Sequence, residues 1–131
     1  MFSKDMLIGI ILGMSKPDIH IDKNDKSQIG YRVRLRVNIR GGSSFLQGIQ
    51  RSLEQHQITT NYKDREHKSR PRPILRIGGI KNLYKICELI PESLPDANDE
   101  WGIFREAVDI VANDRHLLLE GLERLFELKG V

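Results

Sequence analysis

The stretch Tyr31-Arg32-Val33-Arg34-Leu35-Arg36-Val37-Asn38-Ile39-Arg40 alternates apolar and polar residues without a break. A period of two is the pattern of a β-strand. It places Tyr31, Val33, Leu35, Val37 and Ile39 on one face and Arg32, Arg34, Arg36, Asn38 and Arg40 on the other. Cations two residues apart on a pleated strand recur about every 7 Å. That matches the rise of two nucleotides, about 3.4 Å each. Arginine can also read guanine edges in the major groove. The strand face carries no acid of its own, so as a merely solvated face it would suffer like-charge repulsion; the pattern therefore favours contact with a polyanion. Arg72 and Arg76 have the parity to extend this surface, and Lys63, Arg65, Lys68 and Arg70 are expected to reach phosphates from a basic loop.

The charge distribution agrees. The 131 residues carry a net charge of +3, but residues 30–81 hold twelve Lys/Arg against three Asp/Glu, a local net of +9. Residues 92–131 hold four against ten, a local net of −6. A basic centre beside an acidic final third points to one face made for a polyanion. Other chemistries find little support. The four histidines (His20, His56, His67 and His116) show no metal-ligand spacing with one another or with Cys87. Gly-rich phosphate loops and nucleophile elbows are missing from the sequence. Cys87 is the only cysteine, which excludes an internal disulfide, and its apolar surroundings predict a buried, unreactive thiol.

The longest apolar run, Met6 to Met14, is nine residues, too short to span a bilayer. Asp5 before it and the lack of a small-residue cleavage site argue against a signal peptide. The expectation is a protein without a membrane partner; its compartment is left open, whether intracellular in general, organellar or a prokaryotic cytoplasm. The length suits a single domain over 1–131.

The elements that must position the arginines can be read from periodicity and punctuation. Ser3 or Asp5 caps a first helix with Met6–Gly13 as its apolar body, and Pro17 is expected to stop it. Asp18-Ile19-His20-Ile21-Asp22 alternates as a half-buried strand. After the arginine strand, Gly41-Gly42 breaks the chain and Ser43 or Ser44 caps a helix to about Gln57, with Phe45, Leu46, Ile49 and Leu53 at helical spacing. Residues 58–66 and 72–78 read as two further strands. Pro71 and Pro73 imply that the second of these begins late or lies at an edge. A third helix runs from Ile80 to Pro91, and acidic amphipathic helices follow at about 99–113 and 116–129. The order is αββαββα with two terminal helices, an α+β arrangement.

Gly9 and Gly13 share one face of the first helix. Each costs about 1 kcal/mol there, and close approach of a second helix is the usual reason for such a pair. A symmetric helix pair between two copies, using Leu7, Gly9, Ile10 and Gly13, is the preferred reading; a contact within the chain is the other. The stretch Leu7-Ile8-Gly9-Ile10-Ile11-Leu12-Gly13-Met14-Ser15 resembles the signature helix of the LAGLIDADG homing endonucleases. Glu100-Trp101 and His116-Leu117-Leu118-Leu119-Glu120-Gly121-Leu122-Glu123-Arg124-Leu125 resemble the closing helices of the organellar, single-motif members, so the resemblance covers nearly the whole chain.

The resemblance implies an αββαββα fold whose saddle-shaped antiparallel sheet straddles the major groove of double-stranded DNA. It implies a homodimer joined through the signature helices, with an acid at each helix end holding divalent metal for two-metal cleavage. Here Met14 stands where the acid is expected, and a thioether is a poor ligand for Mg²⁺. Asp18 and Asp22 fall beyond the helix and should face outward from the sheet. The loop Glu92-Ser93-Leu94-Pro95-Asp96-Ala97-Asn98-Asp99 lacks the lysine the family often places there. Asn38 falls near the family's water-positioning residue. The expectation is a sequence-specific, homodimeric DNA-binding protein that has lost cleavage and needs no cofactor. An active Mg²⁺-dependent endonuclease recruiting Asp18, an RNA-splicing maturase that binds RNA, and a module for an acidic protein partner remain as alternatives.

Overall fold

The computed structural model describes residues 2–92 and 100–130. The loop discussed above therefore lies, from Ser93 to Asp99, outside the described residues. The element order is α1 (Lys4–Met14), β1 (Ser15–Lys23), β2 (Tyr31–Arg40), α2 (Ser43–Glu54), β3 (Asn61–Lys63), β4 (Ile74–Ile77), α3 (Ile80–Leu89), α4 (Glu100–Ala112), a 3-10 turn (Arg115–Leu117) and α5 (Leu119–Lys129). This is the expected α+β order.

Ser3 caps α1, its hydroxyl accepting from the Met6 amide at 3.3 Å. Leu7, Ile8 and Ile11 turn inward. The helix does not run on to Pro17. It ends at Met14, where Ser15 becomes extended (φ −87°, ψ 158°) and donates its hydroxyl to the Ile11 carbonyl. The strand starts at once, three residues before the alternation suggested, with Pro17 inside it. An edge strand tolerates a residue without an N–H, and β1 is an edge.

The sheet is antiparallel in the order β1-β2-β4-β3. β1 and β2 pair from Ser15↔Ile39 to Lys23↔Tyr31, through a turn in which Asn24 accepts from the Lys26 amide and Gly30 adopts φ +81°. β3 and β4 are shorter than expected. Pro71 and Pro73 delay β4 until Ile74 but do not put it at an edge; it lies between β2 and β3. Ser43 and Ser44 are the first residues of α2 rather than its cap, which is Gly42, and the helix stops at Glu54, before Gln57 turns to φ +62°.

The apolar face of the sheet (Ile19, Leu35, Val37, Ile39, Leu75 and Ile77) joins Leu7 and Ile11 of α1, Leu46, Ile49 and Leu53 of α2, and Phe104 of α4 in one core cluster. α4 packs against β1, α3 and α5, with Trp101 edge-on to Phe104 at 5.6 Å. Tyr31 meets Phe126 edge-on at 5.4 Å and ties α5 to the start of β2. The helices gather on this side, and on the other side of β2 Arg32, Arg34 and Arg40 are exposed.

Candidate nucleic-acid interface

The strict alternation of β2 makes this surface. Arg32, Arg34 and Arg40 are exposed, Arg36 is half-buried, and the apolar residues between them become buried from Leu35 onward. Asn38 also belongs to the polar side by parity but is only 9% exposed. Register then adds residues from the other strands. Lys16, Asp18, His20 and Asp22 of β1 lie opposite Asn38, Arg36, Arg34 and Arg32. Arg76 of β4 lies opposite both Asn38 and Asn61, while Ile74 lies opposite Arg40 and Lys63. Arg65, Lys68, Arg70 and Arg72 are exposed in the loop between β3 and β4, which His67 and Arg70 close into a small hairpin. The fold thus brings the basic residues singled out in the sequence to one sheet face and its bordering loop.

The face is less cationic than β2 alone implied. The strand has no acid, but its neighbours supply three. Arg34 Nη2 donates to Asp22 Oδ2 at 2.8 Å, and Arg32 Nη2 lies 3.8 Å from the same oxygen. His20 Nε2 lies 2.8 Å from Asp22 Oδ1. Arg36 Nη2 donates to Asp18 Oδ2 at 3.3 Å. Arg40 holds both oxygens of Glu66 through Nε and Nη2, each at 2.7 Å, a fork that fixes the loop to the sheet. The like-charge repulsion expected of this strand alone is therefore not present in the fold: carboxylates from β1 and the β3–β4 loop relieve it. The Arg34 guanidinium holds the Asp22 carboxyl below its usual range, and Arg40 does the same to Glu66. The β1 acids were legible as strand residues; their partners were not, because pairing register is a tertiary property.

Asn38 is tied to β4. Its Oδ1 accepts from Arg76 Nε at 2.9 Å, so the amide holds an arginine. Ile74, two residues from Arg76, is fully buried although parity puts it on the polar side.

On α1, Leu7 is corrected as an interface residue: it is fully buried in the chain's own core. Gly9 and Gly13 are exposed, and a Cβ at either would meet no atom within 4 Å. Ile10 is half-buried, and Met6 and Met14 are 57% and 49% exposed. Together Met6, Gly9, Gly13 and Met14 leave an exposed apolar, small-residue stripe on α1, bordered by Ile10, which packs against the core.

The end of α1 does not suit a divalent cation. Met14 offers a thioether, the Ser15 hydroxyl is given to Ile11, and Asp18 and Asp22 are engaged by arginines on the sheet face. Hard cations require several free oxygens. No metal-dependent step can be derived from these residues.

No protein-family model and no curated protein sequence matches the chain. Solved structures do match. The homing endonuclease I-TnaI aligns with a TM-score of 0.81 at 19% identity, over 98% of this chain and 86% of that one. The LAGLIDADG meganuclease I-CpaMI, solved bound to uncleaved DNA, gives 0.80 at 24% identity, over 98% of this chain and 45% of that one. The LAGLIDADG homing endonuclease I-LtrWI, solved bound to target DNA, gives 0.84 at 22% identity, over 98% and 43%. The chain thus covers most of I-TnaI but less than half of the other two. The alignments cover 98% of this chain, and the chain carries the fold of the LAGLIDADG homing endonucleases.

Proposed function

We propose that residues 1–131 form one unit that binds double-stranded DNA sequence-specifically, as a homodimer joined along α1, and that this unit no longer cleaves. The observation that carries the reading is the single basic face: Arg32, Arg34, Arg36, Arg40 and Arg76 on the sheet, bordered by Lys63, Arg65, Lys68, Arg70 and Arg72. In this reading the sheet residues face the major groove and the loop cations contact phosphates, which fix register without reading sequence. The fold's likeness to proteins solved on DNA supports it.

Three further observations support the finer points. The exposed stripe of Met6, Gly9, Gly13 and Met14, bordered by Ile10, is suited to a second copy of α1, because glycines let helix backbones approach closely. Two copies would also approach the length of I-CpaMI and I-LtrWI, of which one copy covers less than half. The lack of a hard ligand at Met14 supports loss of cleavage.

A selection from random duplexes, followed by gel shift of the enriched site across a salt series, tests this reading. The expected result is one enriched site bound by two copies, with affinity falling steeply as salt rises. A pool without enrichment, or an RNA pool that competes as well as the site, would overturn it. Incubating the complex with Mg²⁺ or Mn²⁺ tests the second part. Intact DNA is expected, and clean double-strand scission would restore the active endonuclease.

A further inference from the structure

Among the arginines of the sheet face, Arg76 is held differently. Arg34, Arg36 and Arg40 each lean on a carboxylate, from Asp22, Asp18 and Glu66. Such contacts orient a guanidinium but also offset its charge. Arg32 comes no nearer than 3.8 Å to Asp22, too far for a hydrogen bond, so it is not fixed in the same way. Arg76 donates Nε to Asn38 Oδ1 at 2.9 Å, and Asn38 is an uncharged amide that is nine-tenths buried. Its orientation is thus set by a neutral partner; the Glu66 carboxylate acts on it only through space, both oxygens of that group being held by Arg40.

The bond is made by Nε. No residue among those described accepts a hydrogen bond from Nη1 or Nη2 of Arg76. The end-on pair of N–H groups is therefore free. Two parallel donors on a rigid plane match the O6 and N7 acceptors that guanine presents in the major groove. The position fits as well. Lys16, Asn38, Arg76 and Asn61 form a polar row across the four strands, at the end of the sheet where β1 leaves α1.

We propose that Arg76 reads a guanine in the target and that Asn38 is its positioning residue, aiming the guanidinium without neutralising it. The proposal rests on the DNA-binding reading and assigns one specificity determinant within it. Arg40, held by both oxygens of Glu66, serves instead to anchor the loop. In a dimer the guanine recurs once in each half of the site.

The experiment is a random-duplex selection with the wild-type chain and with the Arg76→Gln, Asn38→Leu and Asn38→Asp variants, each checked for a cooperative thermal melt. The wild type should enrich a site containing a guanine that is preferred by about 5- to 150-fold, the range for one bidentate pair. Arg76→Gln should abolish the preference at that position alone. Asn38→Leu should lose most of it with non-specific affinity unchanged, because no charge changes. Asn38→Asp keeps an acceptor for Nε and should restore the preference, while making the salt dependence shallower. A general packing role for Asn38 would not produce this split between Leu and Asp.

A wild-type site whose preferences are all unaltered in Arg76→Gln overturns the assignment while leaving DNA binding intact. So does a guanine preference that survives Asn38→Leu. If Asn38→Leu fails to fold, Arg76→Gln and Asn38→Asp still decide it. No enriched site with the wild type overturns both readings.

Discussion

Replacing Asp22 with asparagine should make the sheet face a stronger and more salt-sensitive polyanion binder. Asp22 Oδ2 accepts from Arg34 Nη2 at 2.8 Å and lies 3.8 Å from Arg32 Nη2. Asparagine keeps the shape and an acceptor oxygen but removes the negative charge, so one positive equivalent on the face is no longer offset. Each additional phosphate neutralised steepens the slope of log affinity against log salt by about 0.9 on duplex DNA. Over a fourfold rise in salt, from about 50 to about 200 mM, that is an additional loss of about 3.5-fold, on top of tighter binding at the low-salt end. Fluorescence anisotropy on a fixed duplex across a salt series measures both quantities. Asp18→Asn, which releases Arg36, should behave alike, whereas Glu120→Gln on α5 should do neither. A slope for Asp22→Asn that is unchanged or shallower would refute the idea that carboxylates from β1 mask a DNA-binding face.

Other outcomes follow from the same structure. Gly9→Ala and Gly13→Ala meet no atom within 4 Å in the single chain. Each should therefore raise thermal stability by about 1 kcal/mol while weakening self-association in sedimentation; unaltered association would remove α1 as the dimer contact. At Gly121 an added Cβ would lie 1.9 Å from the Arg115 carbonyl oxygen, so Gly121→Ala should cost about 1–3 kcal/mol in denaturant unfolding. Arg40 and Arg124 hold the Glu66 and Glu106 carboxyls below their ordinary value of 4.5. A lowered carboxyl stabilises the fold above its unfolded value, and that contribution is lost as pH falls through the lowered one. Stability should drop on acidification below about pH 4.5, and Glu66→Gln should flatten part of that limb. Burial pushes the Cys87 thiol up to about 11, so alkylation near neutral pH should be slow in the folded chain and fast once it is unfolded.

The residues that announced themselves in the sequence were those whose pattern is local. The alternation of β2 exposed both its core side and its arginine side, and the α+β order followed from helical spacing and glycine breaks. Pro17 misled because its effect depends on sheet position: an edge strand accepts it, and the helix ended earlier through Ser15. Pro71 and Pro73 revealed where β4 starts, but its inner place follows from strand pairing, which spacing does not encode. The same holds for the site. Asp18, His20 and Asp22 were visible as strand residues and Lys16 was not, and only the Asp22↔Arg32 to Lys16↔Asn38 register sets all four opposite the polar residues of β2. The partnership of Asn38 with Arg76 spans 38 positions, and no periodicity signals it. Leu7 looked like an interface residue because it lies beside Gly9, but the helix turns it into the core.

The most direct test of the central claim is a selection from random duplex DNA with the wild-type chain at moderate salt, read by sequencing the bound pool. The account predicts one enriched site built of two inverted halves, each with a guanine whose preference depends on Arg76. A bound pool indistinguishable from the input would contradict it.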